Sequence, residues 1–325
     1  MSEKIKAAVF NNDESGQMFN RVFGEGRREK LAEITDLYPV QITDRNFDEH
    51  VGKLQDVEVI FSTWNMLELT GEQIKKLPSL KAVFYAAGGT GYFREPFLKA
   101  GIKVCTSISA NGIPVAEFAL AQVLLAGAGY FRNSRECIDE DSSRMPTSYR
   151  GHGNYGKRVA LLGNGTISNH LQGYLSHHDL EVVVVPSRAE NRTVFLEEAF
   201  ASSFAIVNLF PDRKDNARIL DRHLFEQMID SAVFINVGRG QQVNEEDLIS
   251  VMKARPDLTA LLDVQWPEPP LNGSELYALP NVQLSAHLAG SKAAELFRMA
   301  DYMIEEFLRY ERGDVLLYEV QLDQL

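Results

Sequence analysis

Val159-Ala160-Leu161-Leu162-Gly163-Asn164-Gly165-Thr166-Ile167-Ser168 decides the reading of this chain. An apolar run breaks on two glycines two apart and leads into a helix-like segment. That is the shape of a dinucleotide-binding turn. Gly163 allows a tight strand-to-helix turn, and Gly165 lets backbone approach a pyrophosphate at a helix N-terminus. Thr166 and Ile167 open that helix and join the cofactor-binding set. Ser168 stands where the third glycine of the fingerprint falls. Gly-x-Gly after a strand also occurs in ordinary tight turns, so the rest of the chain has to carry the argument. It supplies an arginine, a glutamate and a histidine at the ends of later strands.

At 325 residues the chain exceeds one ordinary core, and two domains are expected. A hydrophobic content of 45% with 24% charged residues is that of a water-soluble globular protein. The net charge of −12 argues against non-specific nucleic-acid binding, which needs positive potential. The only two cysteines, Cys105 and Cys137, make no disulfide framework and no Cys-x-x-Cys, so a reducing, cytoplasmic setting is expected. The start, Met1-Ser2-Glu3-Lys4-Ile5-Lys6, lacks the apolar stretch of a signal peptide. No membrane span is expected, because the longest apolar candidate, Val115 to Gly129, is interrupted by Glu117 and Gln122. The histidines show no His-x-x-x-His spacing, and no metal site is expected.

Short β-branched runs alternate with helical patterns along the whole chain. Strands are predicted at Ala7–Phe10, Val57–Phe61, Ala82–Ala86 and Lys103–Cys105, with helices near Gly16–Ile34, Gly71–Leu77 and Arg94–Ala100. Beyond Gly151 the rhythm restarts, with strands at Arg158–Leu162, Glu181–Val185, Ala205–Leu209, Val233–Asn236, Thr259–Asp263 and Val282–Leu284. Asn244 reads as the N-cap of a helix Glu245–Lys253, and long helices are predicted over Ile113–Arg132 and Lys292–Arg312. The break is Asn133–Gly156, poor in aliphatics. Such alternation implies an α/β protein with parallel sheets and crossover helices.

Three later stretches carry chemistry. Asn236-Val237-Gly238-Arg239-Gly240 follows an apolar strand and sets an arginine at the carboxyl edge of the sheet, where open α/β sheets bind ligands. A guanidinium there suits a carboxylate, which it grips with two parallel hydrogen bonds; an ordinary solvated arginine is the plain alternative. Asp263-Val264-Gln265-Trp266-Pro267-Glu268-Pro269 holds Glu268 between two prolines that stiffen the loop. Ser285-Ala286-His287-Leu288-Ala289-Gly290-Ser291 ends the last strand with a histidine. A carboxylate bonded to an imidazole favours its protonated form and fixes its tautomer. The imidazolium can then protonate a carbonyl while hydride arrives from a cofactor. A core histidine and a surface carboxylate remain the plain readings of the two.

The order of these parts resembles the D-isomer-specific 2-hydroxyacid dehydrogenase family. The residues that carry the resemblance run from about Lys81 to Ser291. They are Leu80-Lys81-Ala82-Val83 with Ala87-Gly88-Gly89, Asn111 with Val115-Ala116-Glu117, Gly163–Gly165, Pro211, Phe234–Gly240, Leu262-Asp263-Val264 with Pro267-Glu268-Pro269, and Leu279-Pro280-Asn281-Val282 with His287-Leu288-Ala289-Gly290. The resemblance implies two Rossmann-like domains, a flavodoxin-like substrate domain (1–106 and 290–325) and a dinucleotide-binding domain (107–289), with a 2-oxo acid in the cleft between them. It implies that Arg239 binds the substrate carboxylate, that Glu268 pairs with the acid/base His287, and that Asp263 contacts the nicotinamide carboxamide. It implies that backbone amides of Gly88 and Gly89 hold the substrate, and that Pro211, Val237 and Gly238 join the cofactor-binding residues. Gly91 and Tyr92 stand where the family usually has Asp-Asn, and Leu209-Phe210-Pro211 stands for its His-x-Pro. A non-catalytic dinucleotide-binding corepressor or scaffold is the rival reading, and a methyltransferase-like nucleotide binder a third; neither needs the arginine, glutamate and histidine.

Two expectations remain. The second strand of the restarted rhythm ends in Pro186-Ser187-Arg188, with no carboxylate at its tip. Ser187 and Arg188 can bind a 2′-phosphate there, which places NADP(H) ahead of NAD(H). The helix Ile113–Arg132 is apolar over more than one face. With the loop Asn133–Tyr149 it is expected at a homodimer interface, as the resemblance implies.

Overall fold

The computed structural model describes residues 3–144, 148–290 and 292–321. The elements in chain order are β1 (Lys6–Val9), α1 (Gln17–Val22), α2 (Arg27–Ile34), β2 (Asp36–Leu37), α3 (Phe47–His50), β3 (Val59–Ser62), α4 (Gly71–Lys75), β4 (Ala82–Tyr85), α5 (Arg94–Lys99), β5 (Lys103–Thr106), α6 (Ile108–Gly127) and α7 (Tyr130–Glu136). There follow β6 (Lys157–Leu162), α8 (Thr166–Leu175), β7 (Leu180–Val185), α9 (Leu196–Ser202), β8 (Ala205–Asn208), α10 (Arg222–Glu226), β9 (Val233–Asn236), α11 (Glu245–Ala254), β10 (Thr259–Leu262), β11 (Val282–Leu284) and α12 (Glu295–Arg312). Contacts divide the chain into a first unit, Met1–Asn111 with Ser291–Leu325, and a second, Gly112–Gly290.

The first unit is built on a five-stranded sheet in the order β2-β1-β3-β4-β5, with every pairing parallel. Its strands are covered on both faces: Ala8, Ile60 and Val83 belong to one core, Ala7, Val59 and Ala82 to the other. That is the period-two signature of a sheet with no wet side. The second core is completed by α12. Its Leu296, Met299, Ala300, Met303 and Phe307 recur at helical spacing and pack with Phe19, Phe23, Phe61 and Phe84. The end of the chain thus belongs structurally with its beginning.

The second unit has a six-stranded parallel sheet in the order β11-β10-β9-β8-β6-β7. Again the strands feed two cores, Ala160, Leu162 and Phe234 on one face, Val159, Leu161 and Ile235 on the other. The chain leaves β6 outward to β7, then crosses back to β8 on the other side of β6. Beyond the carboxyl ends of β6 and β8 the connections run apart, which opens the crevice where sheets of this kind bind ligands.

Several sequence expectations are corrected. The stretch Gly16–Ile34 is two helices, parted at Gly24-Glu25-Gly26, where Glu25 and Gly26 both have positive φ. The expected helix Ile113–Arg132 is α6 and α7, parted at Gly129, whose φ is +75° and whose Cβ position lies 2.3 Å from the Gly151 nitrogen. A residue with a side chain fits neither requirement. Helix α12 begins at Glu295, not Lys292. Asn244 holds the N-cap position of α11 but makes no capping bond; its Oδ1 accepts from Arg218 and its Nδ2 donates to Asp247. By length and composition α6 could cross a membrane, contrary to the sequence reading. However, its Val115, Ala116, Ala119, Val123 and Ala126 are buried in a core of the second unit with Val159 and Leu161.

Candidate active site

The turn after β6 has the geometry the glycines imply. Gly163 has φ +127°, and a Cβ there would sit 2.6 Å from the Leu209 carbonyl oxygen, so this turn excludes a side chain. Gly165 is the N-cap residue of α8, and its Cβ direction points into open space. Room is thereby left for a group against the helix N-terminus, whose amides and dipole favour an anion. Ser168, in the first turns of α8, is buried and its Oγ accepts a hydrogen bond from Gln172.

A cleft of about 430 Å³ opens at this turn, lined by Asn164, Gly165, Pro186, Ser187, Arg188, Asn191, Leu209 and Pro211. It lies across the carboxyl ends of β6, β7 and β8, at the switch point of the sheet. Five of the residues singled out in the sequence therefore meet there: Gly163 in its turn, Gly165, Ser187, Arg188 and Pro211 on its wall. Thr166 and Ile167 form the first turn of α8 beside it. Arg188 is 63% exposed and pairs loosely with Glu190 at 3.9 Å. Two further arginines, not found from sequence, build the tip of β7. Arg192 donates to the carbonyls of Pro186 and Ser187 (3.0 and 2.9 Å). Arg213 donates to Ser187 Oγ at 3.3 Å while paired with Asp215. Both come from loops without regular spacing, so no pattern marks them.

The ends of β9, β10 and β11 carry the other residues. Arg239 is half-exposed; Nη1 donates to the Gly238 carbonyl at 2.9 Å, and Nε lies 3.7 Å from Asp212. The glycines around it serve the protein itself. A Cβ on Gly238 would strike Gln242 Oε1 and Asn208 Nδ2 at 2.8 and 2.9 Å, and one on Gly240 would lie 1.9 Å from the Gln265 carbonyl oxygen. Side chains and backbone of the same unit fill the space beside both glycines. Val237 is buried in the core, so only its backbone is available to a ligand.

Gly240 thus packs directly on the loop that leads to Glu268. From that loop Glu268 Oε1 reaches His287 Nδ1 at 2.7 Å, with the two side chains 36% and 50% exposed. His287 sits in a turn with φ +49°. Asp263 anchors that turn: Oδ1 accepts from Ser285 Oγ (2.6 Å) and the Leu288 amide (2.9 Å), Oδ2 from the Ala289 amide (3.0 Å), and its carbonyl from the His287 amide (3.0 Å). Asp263 is buried, and its carboxylate is turned toward the His287 turn. Glu245, at the start of α11, accepts a bond from the Trp266 backbone, while burial pushes its carboxyl above the usual range.

In the first unit, Gly88 and Gly89 follow β4, and the carbonyls of Ala87 and Gly88 both accept from Thr106 Oγ1. Ser291, the last residue of the histidine motif, lies outside the described residues. Among the described residues no cluster of histidine, cysteine, aspartate and glutamate is arranged to hold a metal ion.

The structure thus sets a glycine turn at the switch point of a parallel-sheet unit, with an imidazole–carboxylate pair and an arginine on the neighbouring strand ends. Residues 121–289, more than half of the chain, match the family described as D-isomer specific 2-hydroxyacid dehydrogenase, NAD binding domain, and the chain belongs to that family. YoaD of Bacillus subtilis (strain 168) is 28% identical over 204 residues, 59% of this chain and 59% of that protein. The glyoxylate reductase of Thermococcus gammatolerans is 25% identical over 277 residues, 81% and 82% of the two chains. Among solved structures, a 2-hydroxyacid dehydrogenase from Rhizobium etli CFN 42 in complex with NADP superposes with a TM-score of 0.71 at 19% identity, over 98% of each chain. The protein is an NAD(P)-dependent oxidoreductase of 2-hydroxy acids.

Proposed function

We propose that this enzyme interconverts a small 2-oxo acid and its D-2-hydroxy acid through His287, Glu268 and Arg239. The observation that carries the reading is the 2.7 Å bond from Glu268 to His287 Nδ1. It fixes the ring's orientation and leaves Nε2 to meet substrate. In the reductive direction Arg239 holds the carboxylate of the acid, a role its planar fork suits. His287 in its protonated form gives the Nε2 proton to the carbonyl oxygen at C2, and Glu268 stabilises the imidazolium until then. The reduced dinucleotide, when bound, supplies the hydride that C2 accepts. A non-catalytic scaffold has no use for an assembled imidazole–carboxylate pair.

The residues at the β7 tip support NADP(H) over NAD(H). Ser187 and Arg188 line the cleft and Arg213 reaches Ser187 Oγ, while no carboxylate side chain is among the cleft-lining residues. Gly163, Gly165, Thr166 and Ile167 fit the pyrophosphate, Pro211 the adenosine side, and the backbone of Val237 and Gly238 with Asp263 the nicotinamide side. Both cysteines are free thiols, which suits the cytoplasm. Exposed apolar side chains at Leu125, Tyr130 and Ile138 support a homodimer built on α6 and α7. Of the expected interface loop Asn133–Tyr149, residues 145–147 lie outside the described residues. A panel of 2-oxo acids assayed with NADPH and NADH tests this reading. One acid should give a kcat/KM well above the rest, with NADPH preferred; no acid-dependent oxidation of either cofactor would refute it.

A further inference from the structure

Three side-chain amides, Asn208, Asn236 and Gln242, are almost wholly buried at the carboxyl ends of β8 and β9. Buried amides cost stability unless each polar atom is paired. These are paired with one another and with two functional loops. Asn208 Nδ2 donates to Asn236 Oδ1 (2.9 Å) and to Gln242 Oε1 (2.8 Å). Gln242 Nε2 donates to the carbonyls of Phe210 and Pro211 (2.9 and 2.8 Å), and Asn208 Oδ1 accepts from the Phe210 amide (3.2 Å). On the other side, Gln242 Oε1 accepts from the Arg239 amide (3.1 Å) and Asn236 Oδ1 from the Gly238 amide (3.2 Å). Asn236 Nδ2 reaches the Val264 carbonyl at 3.4 Å. The glycine at 238 is part of the same design, since a Cβ there would strike Asn208 and Gln242.

We infer that Asn208, Asn236 and Gln242 form one positioning unit that sets the Arg239 turn and the Leu209–Pro211 wall of the dinucleotide cleft in register. The inference rests on the roles proposed above for Arg239 and the cleft. None of the three amides is a catalytic residue; each acts through the backbone it holds. Gln242 is the centre, because its oxygen takes the Arg239 amide and its nitrogen takes the cleft wall. Loss of Gln242 frees both loops at once, whereas loss of Arg239 alone leaves the cleft wall in place.

The test is a double-mutant cycle on Asn208→Leu and Gln242→Leu, read in three ways. Fluorescence titration gives the Kd for NADPH, steady-state kinetics separate KM for the acid from kcat, and hydrogen exchange follows the amides of Phe210, Gly238 and Arg239. Each single variant should weaken NADPH binding and raise KM about tenfold, a 1.4 kcal/mol change. In each, kcat should stay within about twofold, since the Glu268–His287 pair is held by other bonds. The double variant should lose less than the sum of the two, because it removes both partners of the Asn208–Gln242 bond. In the wild-type protein the three amides should exchange slowly and together, a readout that needs no variant to fold. Variants that lower Tm while leaving Kd and KM unchanged, additive losses, or fast exchange of the three wild-type amides would overturn the inference. Binding and exchange are read without turnover, so a wild-type protein inert toward every acid would refute the dehydrogenase roles and still leave the positioning unit to be judged.

Discussion

At the scale of the residue, the same motif supplies groups with different duties. Arg239 presents a half-exposed guanidinium, while its own amide is tied down by Gln242. Arg239→Lys should lower kcat/KM by about 2–3 kcal/mol, the worth of charge-assisted hydrogen bonds that an ammonium cannot make as a planar fork. Steady-state kinetics on the best acid check this, and near-normal activity would remove the assignment. Glu268→Gln takes the negative charge away from His287 Nδ1. The imidazolium that gives up the proton then loses its stabilising partner, so kcat for reduction should fall about tenfold or more. An unchanged kcat would mean that the pair is not coupled. Most of these groups were legible in the sequence, because motif order marks the ends of strands. The anchoring bonds of Asp263 were not, since nothing local reveals three donors from a turn more than twenty residues away. Nor were Arg192, Arg213 and the buried amides, which meet only after β7, β8 and β9 are aligned.

At the scale of the element, strands were easier to read than helices. Each long apolar β-branched run became a parallel strand, because a sheet covered on both faces demands such runs. Helix limits failed where backbone contacts decide them. Gly129 ends one helix and starts the next because the backbone at Gly151 packs against it, a contact between segments that a periodicity of apolar residues does not encode. The two-residue strand β2 and the short helix α3 carry no pattern of their own. Helix α12 holds the segment that follows it through one buried carboxylate. Glu306 Oε1 accepts from the amides of Leu317 and Tyr318 (2.6 and 2.9 Å), and Oε2 pairs with Arg309 at 3.1 Å. Glu306→Ala would leave a guanidinium and two amides without their acceptor, and should destabilise the first unit by about 3 kcal/mol in urea denaturation. A change within experimental error would show that this anchor contributes nothing.

At the scale of the whole molecule, two parallel-sheet units each present a switch point, and the chain runs out to the second and back to the first through α12. The exposed apolar side chains around α6 and α7 lead to an expectation about assembly. Light scattering at micromolar concentration should report twice the 36.5 kDa of one chain. A monomer would instead leave Leu125, Tyr130 and Ile138 as ordinary surface residues. The role of His287 as the proton donor in a dinucleotide-dependent reduction of a 2-oxo acid is tested by comparing the wild-type protein with His287→Ala, measuring NADPH affinity by fluorescence and acid-dependent NADPH oxidation in the same preparation. The variant should bind NADPH with a Kd within a few-fold of wild type and oxidise it at least about a hundredfold more slowly, the scale of a lost general acid. Normal NADPH binding together with oxidation at the wild-type rate in the presence of the acid would rule out His287 as that donor.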